Sequence, residues 1–450
     1  MKRRLRISIR ILASIVAATI AALLLRNNSE GDRFHRLNDG STMELQESVF
    51  TSDNVQFPIS EGSRWARFLS PILPGSLRQR FGVAVVNNFV FKGSGTTNLF
   101  LLTETRAPAN SIAPKLGRLK VFDAAGEEYE AGWGLVSLDY MPTRVFHAWQ
   151  VPAFPRRGRE LGFRVLAATP DGDWTNGVEF KIPNPAYAKY PQWTAESWPV
   201  AKRSGDLEVT LKEFESGGPM TGPRGQGSVA MAARMTRVAL GFQQAGRPVD
   251  NWRLQTPTIS DATGNRWSPY RNSEKVDSSW GTNGTAEFMG ALWPSEDAWR
   301  LKAEVARTSG FSPDEVWNVA LPIPAAGAVT ALTNQWEHEG LGVELVGLGS
   351  PKTEHPGEFM WVAKSWGEAQ DETYSLAVKL GTEPAGRRFS LVKAVDQAGH
   401  DVKVVKHQGT DGREQAVFFR PGASTTEVHF TFVIQRSRFV EFLARPEFVK

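Results

Sequence analysis

Short stretches in which apolar and polar residues alternate recur from residue 43 to the end of the chain. Met43-Glu-Leu45-Gln, Leu207-Glu-Val209-Thr-Leu211-Lys and Val343-Glu-Leu345-Val each open a series of such stretches. A period of two predicts strands with one face on a core and the other in water. Later in each series come Thr97-Asn-Leu99-Phe-Leu101, Thr236-Arg-Val238-Ala-Leu240 and Thr373-Tyr-Ser-Leu376-Ala-Val378. Asp123-Ala-Ala-Gly126, Asp261-Ala-Thr-Gly264 and Asp396-Gln-Ala-Gly399 follow, each ending an apolar segment, with the aspartates 138 and 135 residues apart. Asp caps backbone N–H groups and Gly supplies positive φ, so each predicts a hairpin tip.

Beyond each turn a proline marks a corner (Pro155, Pro294, Pro421) that leads into an alternating strand. A last strand closes each series: Val178-Glu-Phe180-Lys-Ile182, Val316-Trp-Asn-Val319-Ala-Leu321 and Phe439-Val-Glu-Phe442-Leu. Three recurrences in one order predict an all-β chain of three tandem immunoglobulin-like β-sandwich modules with separate cores. Pro183-Asn-Pro185 and Pro322-Ile-Pro324 mark the linkers, giving modules at residues 42–185, 186–324 and 325–450. In the first module Trp65, Phe68 and Leu69 have helical spacing and predict a short helical insertion within residues 63–81 that covers a sheet edge.

The N-terminus departs from this pattern. Met1-Lys2-Arg3-Arg4-Leu5-Arg6 precedes an apolar run from Ile11 to Leu25, closed by Arg26. Residues 1–26 therefore read as a signal anchor or signal peptide, and 27–41 as a polar tether. The positive head stays in the cytoplasm and the body faces outward, as a secreted or periplasmic product if the signal is cleaved. This segment also accounts for the basic pI of 9.2. It holds six basic and no acidic side chains, so the remainder carries 46 Lys+Arg against 48 Asp+Glu, a net of −2. A near-neutral body offers no field for nucleic acid. Arg156-Arg157-Gly158-Arg159 reads as a solvated turn. The chain resembles bacterial envelope proteins that carry tandem immunoglobulin-like sandwiches behind an N-terminal anchor, on its strand order, its Asp-x-x-Gly turns and its proline corners.

Candidate chemistry is sparse. With no cysteine there is no disulfide, thiolate metal site or cysteine nucleophile. Ser390-Leu-Val-Lys393 copies an acyl-transfer motif but falls in a strand, where that nucleophile should open a helix. His400, Asp401 and His407 flank a turn and read as a polar hairpin rather than a metal site. The Gly-rich loop 216–227 lacks the Lys-Ser/Thr ending that cradles phosphate. Asp171, Asp173 and Asn176 offer oxygen ligands to calcium, although a turn explains the same residues. No cofactor is implied. Of the fifteen tryptophans, Trp280, Trp267 and Trp293 are the candidates for a ligand face, and core packing is the alternative duty. Two functional readings remain. One is a non-enzymatic interaction or structural protein, held to the membrane through residues 1–26, with a protein or glycan partner. The other is a carbohydrate-binding protein or glycan-acting enzyme that uses exposed tryptophans and a carboxylate pair in module two.

Overall fold

Strand formation follows the alternation closely. In Leu207–Gly218 the odd-numbered Leu207, Val209 and Leu211 are fully buried, while Glu208, Thr210 and Lys212 point away from the core. Residues 34–449 are described by a computed structural model, apart from 61–84, 92–95, 114–115, 131–135, 169–173, 219–234, 268–283, 351–372, 383–385, 410–413 and positions 109, 142, 256 and 289. The N-terminal segment 1–26 and the predicted helical insertion lie outside the described residues. Among the described residues no helix is long and apolar enough to cross a membrane.

The fold is all-β, of the sandwich class, built from several antiparallel sheets. The first two sheets hold Thr42–Thr51, Asn98–Arg106 and Arg144–Val151 on one side and Leu116–Phe122, Glu160–Ala168 and Trp174–Pro183 on the other. A hairpin of Val55–Ser60 with Val85–Phe91 adds a third layer here. Its Phe57, Phe89 and Phe91 pack on Phe100, Leu102 and Phe146 of the first sheet's outer face. Residues 98–105 are therefore buried on both faces, where alternation alone predicts one wet face.

Three local features recur at matching places. The pairing of each opening strand with its neighbour shifts register at a matching point, between Leu45 and Glu47, between Leu211 and Glu213, and between Leu345 and Gly347. Such a bulge bends the strand and increases its twist. Each Asp-x-x-Gly turn also has one hydrogen-bond pattern. The aspartate Oδ1 accepts from the N–H groups two and four residues on: Ala125 and Glu127, Thr263 and Asn265, Ala398 and His400. The glycine N–H donates to the aspartate carbonyl, and Gly126, Gly264 and Gly399 have φ of 85°, 94° and 85°.

That backbone region disfavours a β-carbon, so replacing any of the three by Val is expected to cost about 1–2 kcal/mol. The cost should be greatest at Gly264, where an added Cβ would also stand 3.1 Å from Arg156 Nη1, while nothing lies within 4 Å at the other two. Hydrogen exchange on the full chain, read turn by turn, checks this. Three variants that exchange like the parent at their own turns would show that the turns carry no strain.

The reading of separate, self-contained modules needs two corrections. First, the first and second sheet pairs share a core. One buried cluster runs from Leu101 and Phe163 to Leu211, Trp299 and Phe442, and the Tyr129 and Trp293 rings meet at 4.8 Å. Second, the two expected last strands are exchanged. Val316–Pro322, expected to close module two, pairs with Glu427–Arg436 in the sheet that also holds Arg387–Asp396. Arg438–Ala444, expected to close module three, pairs with Trp299–Arg307 instead, in seven register pairs from Trp299↔Ala444 to Val305↔Arg438. Glu447–Phe448 then pairs with Leu207–Gly218, so the chain end touches both sheets of the second pair. Strand pairing thus does not follow the division at residues 324 and 325.

The geometry of the crossing explains the exchange. Only Ser437 separates Glu427–Arg436 from Arg438–Ala444, so one strand direction carries on from the third sheet pair into the second. Gln435, 2% exposed, holds the crossing by accepting from Arg307 N–H and donating to Arg307 C=O, both at 2.9 Å. Glu304 accepts from Ser437 Oγ at 2.6 Å and pairs with the Arg388 guanidinium. Arg307 also pairs with Glu315 in the single 3-10 turn Pro313–Glu315 that leads to Val316.

Candidate functional site

A buried polar cluster lies where the first and second sheet pairs meet. It is built from the turns and proline corners that the sequence repeats. Asp123, at the first turn, accepts a hydrogen bond from Trp293 Nε1 at 2.7 Å, and Trp293 immediately precedes Pro294. In return Asn265, at the second turn, pairs through its amide with the backbone of Phe154, which precedes Pro155. Phe154 N–H donates to Asn265 Oδ1 at 3.2 Å, and Asn265 Nδ2 donates to Phe154 C=O at 2.9 Å. Two residues beyond each proline, Arg157 and Glu296 form a bidentate ion pair at 2.7 and 2.9 Å. That fork geometry is the stronger kind of charged contact.

Arg156 lies deeper. It is 5% exposed, with its guanidinium 5.1 Å from the Phe50 ring centroid and 5.0 Å from that of Phe154. It donates to the carbonyls of Thr263 at 3.2 Å and Thr97 at 2.9 Å, and so bridges the two sheet pairs. Burial pulls its pKa down, and the charge of Asp261 offsets part of that. Asp261 itself is 2% exposed. Burial pushes its carboxyl up, against hydrogen bonds from Thr263 and Asn265, with Glu296 adding to the rise and Arg156 opposing it. The reading of residues 156–159 as a solvated turn is therefore corrected for Arg156 and Arg157. Thr263 and Glu296, their partners across the junction, lie 107 and 139 residues away, beyond what local composition reports. The one signal in the sequence was opposite charge at matching corner positions, Arg157 and Glu296.

Of the tryptophans singled out from the sequence, the two described ones, Trp267 and Trp293, make internal contacts. Trp293 is 1% exposed and is committed to Tyr129 and Asp123. Trp267 is half-buried, donates from Nε1 to Ala291 C=O at 3.1 Å and lies over Gly290, where a β-carbon would fall 2.3 Å from its ring. Only a glycine fits beneath that ring. Trp280, Asp171 and Asp173 lie outside the described residues, and Asn176 falls within strand Trp174–Pro183. Trp149, Trp252 and Trp299 are core residues, while Trp198 is 45% exposed. Trp193 is half-buried, with the Arg300 guanidinium 4.1 Å from its ring centroid.

The remaining buried charge is on the outer face of the first sheet. Glu104 is fully buried and bound by Arg144 and Arg106. Burial pushes Glu104 up, yet the two guanidinium groups outweigh it and hold the carboxyl below its usual range. A carboxylate neutralised by two arginines is a structural anchor rather than a proton donor. Among the described residues no three His, Asp or Glu side chains gather where they could hold a metal ion. What the cluster at residues 123, 154–157, 261–265 and 293–296 can do is fix the first two sheet pairs together. No family model, curated protein or solved structure matches this chain.

Proposed function

We propose that the chain is a membrane-tethered, extracytoplasmic interaction or structural protein without catalytic activity, built as three immunoglobulin-like modules in tandem behind an anchor at residues 1–26. The observation that carries this reading is how the sheet pairs are joined. The first and second share a core and a buried polar junction. The second and third exchange strands. A chain held in this way presents its surfaces at fixed relative positions, which suits a spacer or a docking arm. The glycan-binding alternative has less support, because two of its three tryptophans, Trp267 and Trp293, are committed to internal contacts.

The tether is tested by topology. A reporter active only outside the cytoplasm, fused after residue 40, is expected to give signal, and deleting residues 1–26 should abolish it. Reporter activity from the deleted form would refute export through this segment. Fractionation of the same cells separates an uncleaved anchor, which stays with the membrane, from a cleaved signal.

A further inference from the structure

Arg438–Ala444 lies in a groove of the second sheet pair that is built to receive a strand. One side of the groove is Trp299–Arg307, paired with it at seven positions. On the other side Glu196 acts as a strand residue would. Its N–H donates to Leu443 C=O at 2.8 Å, and its Oε1 accepts from Leu443 N–H at 3.1 Å. Val440, Phe442 and Ala444 point into the core, while Glu441 faces Arg300 at 3.0 Å and Lys302 at 3.6 Å. Further on, Val449 N–H donates to Ser216 C=O at 2.8 Å, and a β-carbon on Gly217 would stand 2.4 Å from the Val449 carbonyl oxygen. Only glycine at 217 admits this segment. Main-chain bonds along an edge, with pockets for alternate side chains, are recognition by strand addition.

The way the occupant reaches the groove is unusual. In the first sheet pair the strand containing Val178-Glu-Phe180 follows its neighbour Glu160–Ala168 directly, and Glu179 meets Arg164 across the pair. In the second, Val440-Glu-Phe442 arrives only after residues 308–437, which carry the third sheet pair. Ser437 lies inside the arriving unit, so residues 316–449 are tied to the groove by one segment, 308–315. No residue of that segment is buried. It is held by Thr308 N–H on Asn251 C=O at 2.7 Å, by the Arg307 guanidinium on Gly310 C=O at 2.9 Å and by the Arg307–Glu315 pair. Straightened, eight residues reach ~26–29 Å.

We infer that the unit 316–449 swaps between two copies of the chain, each placing its Arg438–Ala444 in the other's groove through the contacts seen here within one chain. The swap keeps every contact of the groove and changes only the hinge at 308–315, so concentration decides between the two forms. Exchange of an identical element is a low-cost route to a dimer. Pairs such as Trp299↔Ala444 are remote in sequence and close slowly. The edge of Trp299–Arg307 therefore stays open while residues 308–437 fold, and a second copy can fill it first. The inference does not rest on the tether at residues 1–26.

The chain has no cysteine, so two singly substituted full-length chains report the swap without background. Lys302 and Glu441 stand opposite each other in the groove, within reach of a disulfide. Lys302→Cys chains and Glu441→Cys chains, unfolded together and refolded as a mixture, are expected to give a disulfide-linked heterodimer on mild oxidation. Its yield should rise with chain concentration and exceed several-fold that of Lys302→Cys with Ile112→Cys, a position 76% exposed on the first sheet pair. Excess peptide of residues 437–450, present during refolding, should suppress it by filling the groove. A yield no greater than that control, or one that the peptide leaves unchanged, overturns the swap. The same two chains made together in one cell and then oxidised give a second reading free of refolding losses, and absence of the heterodimer there overturns it as well.

Discussion

A chain ending at Arg436 is expected to lose the fold of its second sheet pair while the third keeps its own. Removing residues 437–450 strips Val440, Phe442 and Ala444 from the shared core and Phe448 from its contact with Trp299. Val440 and Phe442 alone represent about 3–6 kcal/mol of buried side chain. That is comparable with the whole stability of a typical domain, about 5–15 kcal/mol. The cut also exposes the edge of Trp299–Arg307 along seven register pairs, an invitation to aggregation. The third sheet pair keeps its edge strand, because Val316–Pro322 arrives from the N-terminal side. Hydrogen exchange on the truncated chain should show Trp299–Arg307 unprotected and Glu427–Arg436 still protected. Loss confined to the third pair, or no loss at all, would contradict the exchange. A milder form is Phe442→Ala, expected to cost about 3–5 kcal/mol as a buried aromatic truncation, read by thermal unfolding of the full chain.

The exchange shows where sequence reasoning stops. Alternation reports which face of a strand is buried, but not which sheet receives it. Val316–Pro322 and Arg438–Ala444 both alternate and both follow the strand they were expected to pair with, and nothing local distinguishes the true partners. Even the phase was ambiguous in the C-terminal strand, where Phe439 is 58% exposed and Val440, Phe442 and Ala444 point inward. The turns were legible because their constraint is local: Asp capping and positive φ at Gly act within five residues. The junction was not, because it joins positions such as Arg156 and Thr263 whose polar character looks like surface until a second sheet pair covers them. Tryptophan number likewise announced large buried volume without saying that Trp293 and Trp267 would be spent on internal hydrogen bonds.

The same turn in two settings gives the sharpest remaining test. Asp261 and Asp396 cap equivalent turns, yet one is buried in the junction and the other is at the surface. Asp261→Ala would strand the donors of Thr263 and Asn265 and leave buried Arg156 without its nearest carboxylate. The expected loss is about 3 kcal/mol. Asp396→Ala should cost distinctly less, since water can satisfy its turn. Their pH responses should have opposite signs. Burial raises the Asp261 pKa in the folded chain, so its contribution is greatest below the unfolded carboxylate range and is lost as pH rises through the raised value. The Asp396 pKa is lowered, chiefly by the His400 N–H with the His400 ring adding to it. Its contribution is present above the unfolded range and is lost as pH falls. Denaturant unfolding of Asp261→Asn and Asp396→Asn beside the parent chain, at about pH 4 and pH 7.5, separates the two. The penalty of Asp261→Asn should shrink from the lower pH to the higher, and that of Asp396→Asn should grow. Penalties that move together would mean that the junction does not desolvate Asp261, and that the two turns sit in equivalent surroundings after all.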